Sequence, residues 1–242
     1  MGINYLSRNV APVMDEVAVQ VGARFPPLPH VPQPETVTVN LGPQPPVAVA
    51  PRVEVPLQAT RDRSWVAARW SAHDDNDDNL VFSVYYRGDG EKDWKLLKSD
   101  LTDKFLSFDS GLLPDGGYML KVTASDSPSH TPEDALSDEK VSLRFEVDNT
   151  APRIEGLSAK ADGAGLRVTF RAADDFSPIK RAEYSLDAGE WQFVEPVGQL
   201  SDAKTENYDF KIAVSSGKSE HVVVVRVYDR YDNVATAKSV VR

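Results

Sequence analysis

The 242-residue chain has no cysteine and only four histidines. The missing thiols exclude disulfides, thiolate metal centres and a cysteine nucleophile. His30, His73, His130 and His221 show no metal-ligand spacing such as His-x-x-x-His. Positive charge is short as well: 27 Lys and Arg against 37 Asp and Glu leave a net charge of -10, a field that repels phosphate backbones and argues against nucleic-acid binding. No apolar run approaches the roughly 18 residues of a membrane span. Helical patterning is absent too. No apolar spacing at i, i+3, i+4, i+7 persists over about three turns, and the Val-, Thr-, Tyr- and Phe-rich runs favour strands, so almost no helix is expected.

Phosphate loops and nucleophile elbows are also missing. Gly90, Gly111 and Gly117 sit at hairpins, where backbone freedom explains them, and no Gly-x-Ser-x-Gly occurs. A hydrolase built on paired carboxylates would need a cleft, which small sandwiches lack by default. The opening residues, Met1 to Arg8, contain neither the basic segment nor the apolar core of a secretory signal. Two readings stay open: a cytoplasmic protein, or a fragment whose export signal lies upstream.

What is present is proline, unevenly placed, and an internal repeat. Eleven of 17 prolines lie between Pro12 and Pro56. Proline removes a backbone donor and fixes φ, so residues 21–57 read as an extended excursion with little core of its own, holding one edge strand at Thr36–Leu41. Beyond it, Val66, Ala68, Trp70, Ala72 and Asp74 recur 100 residues later as Leu166, Val168, Phe170, Ala172 and Asp174. Tyr118, Leu120, Val122, Ala124 and Asp126 recur as His221, Val223, Val225, Val227 and Asp229. Each copy alternates with a period of two, as half-buried strands do. The junction recurs as well: Asn9-Val10-Ala11-Pro12 parallels Asn149-Thr150-Ala151-Pro152. Because the second junction follows a domain, the first is expected to follow one too, in a larger protein.

The expected architecture is all-β: two tandem antiparallel β-sandwiches with a Pro-rich extended segment near the N-terminus. Residues 1–20 form a linker and first strand, 21–57 the insertion, 58–149 the first sandwich and 150–242 the second. Trp94 and Trp191 occupy equivalent positions and are expected in the two cores. Trp65, Tyr85 and Arg69 fall on the opposite face from Trp70 by alternation, making Trp65 and Tyr85 the candidates for an exposed aromatic platform that binds glycans.

Leu113-Pro114-Asp115-Gly116-Gly117-Tyr118 resembles the tyrosine corner of fibronectin type III domains over residues 58–148, whereas His221 in place of the tyrosine suits a looser immunoglobulin-like label for the second copy. Asp148-Asn149-Thr150-Ala151-Pro152 is similar to junctions between immunoglobulin-like domains of bacterial secreted and surface proteins. The whole arrangement resembles the C-terminal region of large secreted bacterial proteins with an upstream β-propeller. These resemblances imply a secreted, periplasmic or cell-surface, non-catalytic module for spacing, docking or adhesion. Its partners would be an upstream domain of the same chain and a protein or glycan ligand. A carbohydrate-binding accessory module is the alternative, and a hydrolase the third class.

Acidity concentrates in the first copy, with 19 acidic and 11 basic side chains in residues 57–149 against 14 and 13 in residues 150–242. In an immunoglobulin-type sandwich the loops after the second and sixth strands share the pole at which the chain enters. That topology directs Asp174 and Asp175 toward Asp229 and Asp232, and toward the linker residues Asp148 and Asn149. Hard oxygen donors suit calcium. The set resembles the calcium joints of cadherin repeats. Asp74, Asp75, Asp77 and Asp126 form the matching set in the first copy. The plainer alternative is that these carboxylates only cap loops by accepting backbone N–H bonds.

Overall fold

A computed structural model describes residues 8–26, 58–214 and 220–242. The expected edge strand at Thr36–Leu41 and the rest of residues 27–57 lie outside the described residues. Among those described there is no α-helix, only a short 3₁₀ turn at Ser110–Leu112.

The first sandwich packs two antiparallel sheets. β1 (Val13–Arg24), β2 (Thr60–His73) and β5 (Phe105–Asp109) form one, in the order β1-β2-β5. β3 (Val81–Gly88), β4 (Lys95–Leu101), β6 (Gly116–Ser125), β7 (Ser137–Val141) and β8 (Phe145–Val147) form the other, ordered β4-β3-β6-β7 with β8 also pairing β6. In the second sandwich, β9 (Arg153–Asp162), β10 (Gly165–Ala173) and β13 (Thr205–Ala213) are ordered β13-β10-β9. They face β11 (Ile179–Leu186), β12 (Gln192–Val194), β14 (His221–Asp229) and β15 (Val234–Val241), ordered β12-β11-β14-β15. Both copies therefore place their first, second and fifth strands in one sheet and their fourth, third, sixth and seventh in the other. The second copy shares this plan although His221 stands where the first has Tyr118.

The repeating apolar positions are the cores. Val66, Ala68, Trp70, Phe82, Val84, Leu120 and Val122 are buried in the first, with the Trp70 and Phe82 rings 5.6 Å apart. Leu166, Val168, Phe170, Val223, Val225 and Val227 are buried in the second, where Phe170 stacks on Tyr208 at 4.5 Å. Trp94 and Trp191 are the correction. Trp191 is 40 % exposed, with Arg226 lying 4.0 Å over its ring, and Trp94 lies under Arg87 at 4.5 Å. The repeat conserves a cation–π pair on the outside of the sheet rather than a core side chain.

The strand that opens the first sandwich runs past the expected boundary at residue 20. β1 continues to Arg24, with Gly22 at φ 72° and a register shift between Val21 and Ala23. Phe25 then folds over the outer face of the sheet onto Ala67 and Phe105, its amide donating to the Ser107 hydroxyl at 2.9 Å. The first residues assigned to the excursion thus belong to the sheet and its covering.

The corner assignment has a direct geometric counterpart. The Tyr118 hydroxyl donates to the Pro114 carbonyl at 2.6 Å. In the second copy His221 Nδ1 lies 2.9 Å from Asp187 Oδ2, while Asp187 Oδ1 accepts from the Val222 amide. Tyr118→Phe should lower stability by about 1–3 kcal/mol, because the buried Tyr118 loses the part-buried bond that pins the corner. Chemical denaturation checks this; a midpoint equal to wild type would remove the corner from the account of stability.

Candidate metal centre at the joint between the sandwiches

β8 passes into the linker Asp148–Pro152, which leads to β9, so the linker sits where the two sandwiches meet. Its side chains are engaged on both sides. On the first sandwich, the Asn149 amide nitrogen donates to the Ser110 and Leu113 carbonyls at 3.3 and 3.1 Å. Asn149 Oδ1 accepts from the Ser110 hydroxyl at 2.8 Å, and the Asn149 backbone amide donates to Asp115 Oδ1 at 2.7 Å. The Thr150 hydroxyl also bonds Asp115. Two features that look separate in sequence, the tyrosine corner and the Asp-Asn-Thr-Ala-Pro junction, are thus two sides of one contact. On the second sandwich, the loop after β14 reaches back. Asn233 Nδ2 donates to the Asp148 carbonyl at 2.9 Å and the Tyr231 hydroxyl to Glu146 at 3.0 Å. Asp232 pairs with Lys180 at 2.7 Å and with Arg61 of β2, whose neighbour Arg63 donates to the Asp232 carbonyl at 3.2 Å.

Inside this joint the loop after β10, the end of β14 and the linker bring three carboxylates together. Asp148, Asp174 and Asp229 are 6 %, 5 % and 0 % exposed, and one ligand oxygen from each lies within 4.8 Å of the others. One oxygen of each does local work. Asp174 Oδ1 accepts from the amides of Phe176 and Ser177 at 2.8 and 2.7 Å. Asp229 Oδ1 accepts from Tyr231 and Asn233 at 2.8 and 2.9 Å, and Asp148 Oδ1 from Thr150 at 3.0 Å. The second oxygens differ. Asp229 Oδ2 accepts from Asn233 Nδ2 at 2.8 Å, but Asp148 Oδ2 and Asp174 Oδ2 are buried with no hydrogen-bond partner, as is the Ser177 hydroxyl beside them. Loop capping and a shared polar centre are therefore not alternatives here; each carboxylate has one oxygen free of the capping role.

Electrostatics follow from this crowding. Burial pushes the Asp229 carboxyl up to about 6, against the bonds from Asn233 and Tyr231, and the charge of Asp148 adds to the rise. Burial raises Asp148 too; the Ser177 hydroxyl, close by though outside hydrogen-bond geometry, and the Thr150 amide oppose it, and the charges of Asp174 and Asp115 reinforce it. Among the described residues no Lys or Arg forms an ion pair with any of the three.

The other residues proposed from topology lie elsewhere. Asp175 points outward into a bidentate pair with Arg153, at 2.6 and 2.8 Å, and that guanidinium holds its carboxyl below the usual range. Asp232 is spent on Lys180 and Arg61, and Asn149 on the first sandwich. Ser177 and Asn233, which sequence reasoning missed, stand beside the triad. Asn233 carries a legible signal, an Asn four residues after the strand-ending Asp229.

The matching pole of the first sandwich is built differently. By the junction repeat, Arg8 stands where the second copy has Asp148. Asn9 Nδ2 donates to Asp126 Oδ2 at 2.9 Å, and Asp126 Oδ1 accepts from the Leu136 amide at 2.7 Å. His130 Nε2 lies 2.9 Å from Asp78, and Asp78, Asp126 and His130 approach one another within 4.8 Å. The hydrogen bond to Asp78, and the charges of Asp78, Asp126 and Asp134, raise the His130 imidazole above its ordinary value against the opposing effect of burial. Asp74 caps the loop through the Asn76 amide at 2.8 Å, while Asp75 and Asp77 are exposed.

Trp65 and Tyr85 do not make a platform. Trp65 lies on β2 under Arg24 at 4.0 Å, Tyr85 on β3 with Lys121 5.2 Å from its ring, and the two strands belong to opposing sheets. Alternation puts each on the outside of its own sheet and hence on opposite sides of the sandwich.

No family model and no curated protein matches the sequence. Among solved structures the chain is similar to the FN1-FN3 domains of chicken CNTN1, at 14 % identity and a TM-score of 0.35, covering 74 % of this chain and 63 % of that one. It is similar to dimeric latent PorU from Porphyromonas gingivalis, at 12 % identity and 0.33, covering 74 % of this chain and 21 % of that one. A third match is the chicken interferon gamma receptor alpha chain, at 14 % and 0.30, covering 74 % and 91 %. The fold is a tandem of fibronectin type III-like and immunoglobulin-like sandwiches. That statement rests on this chain's own strand order and corner, since whole-chain superpositions at these TM-scores are loose. No helix among the described residues is long and apolar enough to cross a membrane.

Proposed function

We propose that the chain is a non-catalytic interaction module in which the two sandwiches act as a stiff spacer or docking tandem within a larger exported protein. The observation that carries this reading is the linker without slack. Asn149 is held by Ser110, Leu113 and Asp115 of the first sandwich, while the Asp148 carbonyl and Glu146 are held by Asn233 and Tyr231 of the second. Default tandem domains move relative to one another unless their contact is extensive. Here polar bonds on both flanks oppose bending. The repeated junction at Asn9 supports a spacer role, since a related junction sequence, with a differently built pole, would face a preceding module.

Backbone amide relaxation in chelator tests the stiffness apart from any metal. The two sandwiches should share one rotational correlation time, and the double variant Tyr231→Phe, Asn149→Ala should separate into two faster-tumbling bodies. Independent tumbling in the wild type would overturn the spacer reading.

A further inference from the structure

We propose that Asp148, Asp174 and Asp229 bind one calcium ion at the joint, with the Ser177 hydroxyl as an added oxygen donor. Two observations carry this independently of one another. The first is geometric: three carboxylates from three separate chain segments converge within 4.8 Å. The second is the orphaned chemistry. Asp148 Oδ2, Asp174 Oδ2 and Ser177 Oγ belong to side chains at least nine-tenths buried and have no hydrogen-bond partner. A buried polar atom left unpaired is strongly unfavourable, and two such atoms on neighbouring carboxylates are worse. A cation relieves both at once.

The donor set selects the metal. Only oxygen is offered, with no sulfur or imidazole, which disfavours zinc and copper. Every carboxylate is tethered through its other oxygen to a backbone amide or side chain, so the free oxygens hold fixed and irregular positions. Calcium accepts about six to eight oxygens in adaptable geometry, whereas magnesium demands a near-ideal octahedron. Linker carbonyls and water can complete the larger shell.

The first sandwich supplies an internal contrast. Arg8 replaces the third acid there and His130 sits against Asp78, so although Asp74 Oδ2 is likewise buried without a partner, it faces no second orphaned carboxylate oxygen. The joint, with two orphaned carboxylate oxygens and three acids, is therefore the expected site. Because Asp148 belongs to the linker and the other two to the second sandwich, the ion would tie the entering chain to the pole it enters. This inference does not depend on the spacer reading. Metal binding at a flexible joint, or a stiff joint without metal, would each be seen as such, because stiffness is measured separately in chelator.

Calorimetric titration of the chelator-treated full chain with Ca²⁺ tests the proposal. Saturable binding of one ion is expected with a Kd at or below about 1 mM, the range of extracellular calcium modules. It should be lost in Asp174→Asn and in Asp148→Asn, each of which keeps an oxygen for its loop amide, and retained in Asp175→Asn. Magnesium at equal concentration should bind at least about tenfold more weakly. No saturable heat up to about 10 mM Ca²⁺ would overturn the proposal. So would binding that survives in both triad variants, which would place the ion elsewhere.

Discussion

In the absence of divalent ions, Asp174→Asn should be more stable than the wild type by about 1–2 kcal/mol, and saturating calcium should reverse the order. The apo half of this result follows from the arrangement of oxygens. Asp174 Oδ1 accepts from the amides of Phe176 and Ser177, and an asparagine Oδ1 can accept both bonds unchanged. The substitution then exchanges the orphaned Oδ2 for an NH₂ group that can donate to the unpartnered Asp148 Oδ2. One buried negative charge disappears and one buried acceptor gains a donor. The calcium half follows from mass action: at about 100 times Kd, an ion bound by the native state alone adds about 2.7 kcal/mol to the wild type. Each kcal/mol moves the melting temperature by about 4–8 °C in a domain of this size. Thermal melts of the two proteins, in chelator and in calcium, should therefore cross. If Asp174 serves only as a loop cap, the variant will match the wild type within error under both conditions, and the melts will not cross.

The parts of the fold legible in sequence are those with a period of two. Val66, Ala68 and Trp70, and their counterparts Leu166, Val168 and Phe170, alternate because β2 and β10 each bury one face, and that pattern needs no knowledge of neighbours. What escaped depends on the neighbouring strand. Trp191 looks like a core residue until Arg226, on β14, is seen lying over it. Trp65 and Tyr85 look like one surface until β2 and β3 are assigned to opposing sheets. Asp174 and Asp175 are adjacent in sequence, yet the strand end sends one into the joint and the other across to Arg153 on β9. Asp232 is turned outward by a backbone at φ 66°, toward Lys180 and Arg61, and no composition signal anticipates that turn. The general position of the acidic joint followed from topology. Which acids share it depends on side-chain direction at, and just past, the strand ends.

Phe170→Ala should lower the melting transition of the second sandwich by about 3–5 kcal/mol, and that same transition should be the one that calcium raises. Phe170 is 5 % exposed, stacks on Tyr208 at 4.5 Å and meets Phe210 edge-on at 6.4 Å, so truncation opens a cavity between β10 and β13 that rigid strands cannot close. Its counterpart Trp70 packs on Phe82 in a separate cluster that shares no residue with the second core. Trp70→Ala should therefore displace the other transition by a similar amount. Scanning calorimetry of both variants assigns the two transitions without reference to metal. Two of the three carboxylates belong to the second sandwich, Asp174 just after β10 and Asp229 at the end of β14, so an ion held there loses its ligands when that sandwich unfolds. Unfolding the first sandwich alone would release only the linker's Asp148. Calcium should accordingly move the Phe170-sensitive transition by the larger amount and the Trp70-sensitive one by less. A calcium shift confined to the Trp70-sensitive transition would locate the bound ion at the Asp74 and Asp126 pole instead.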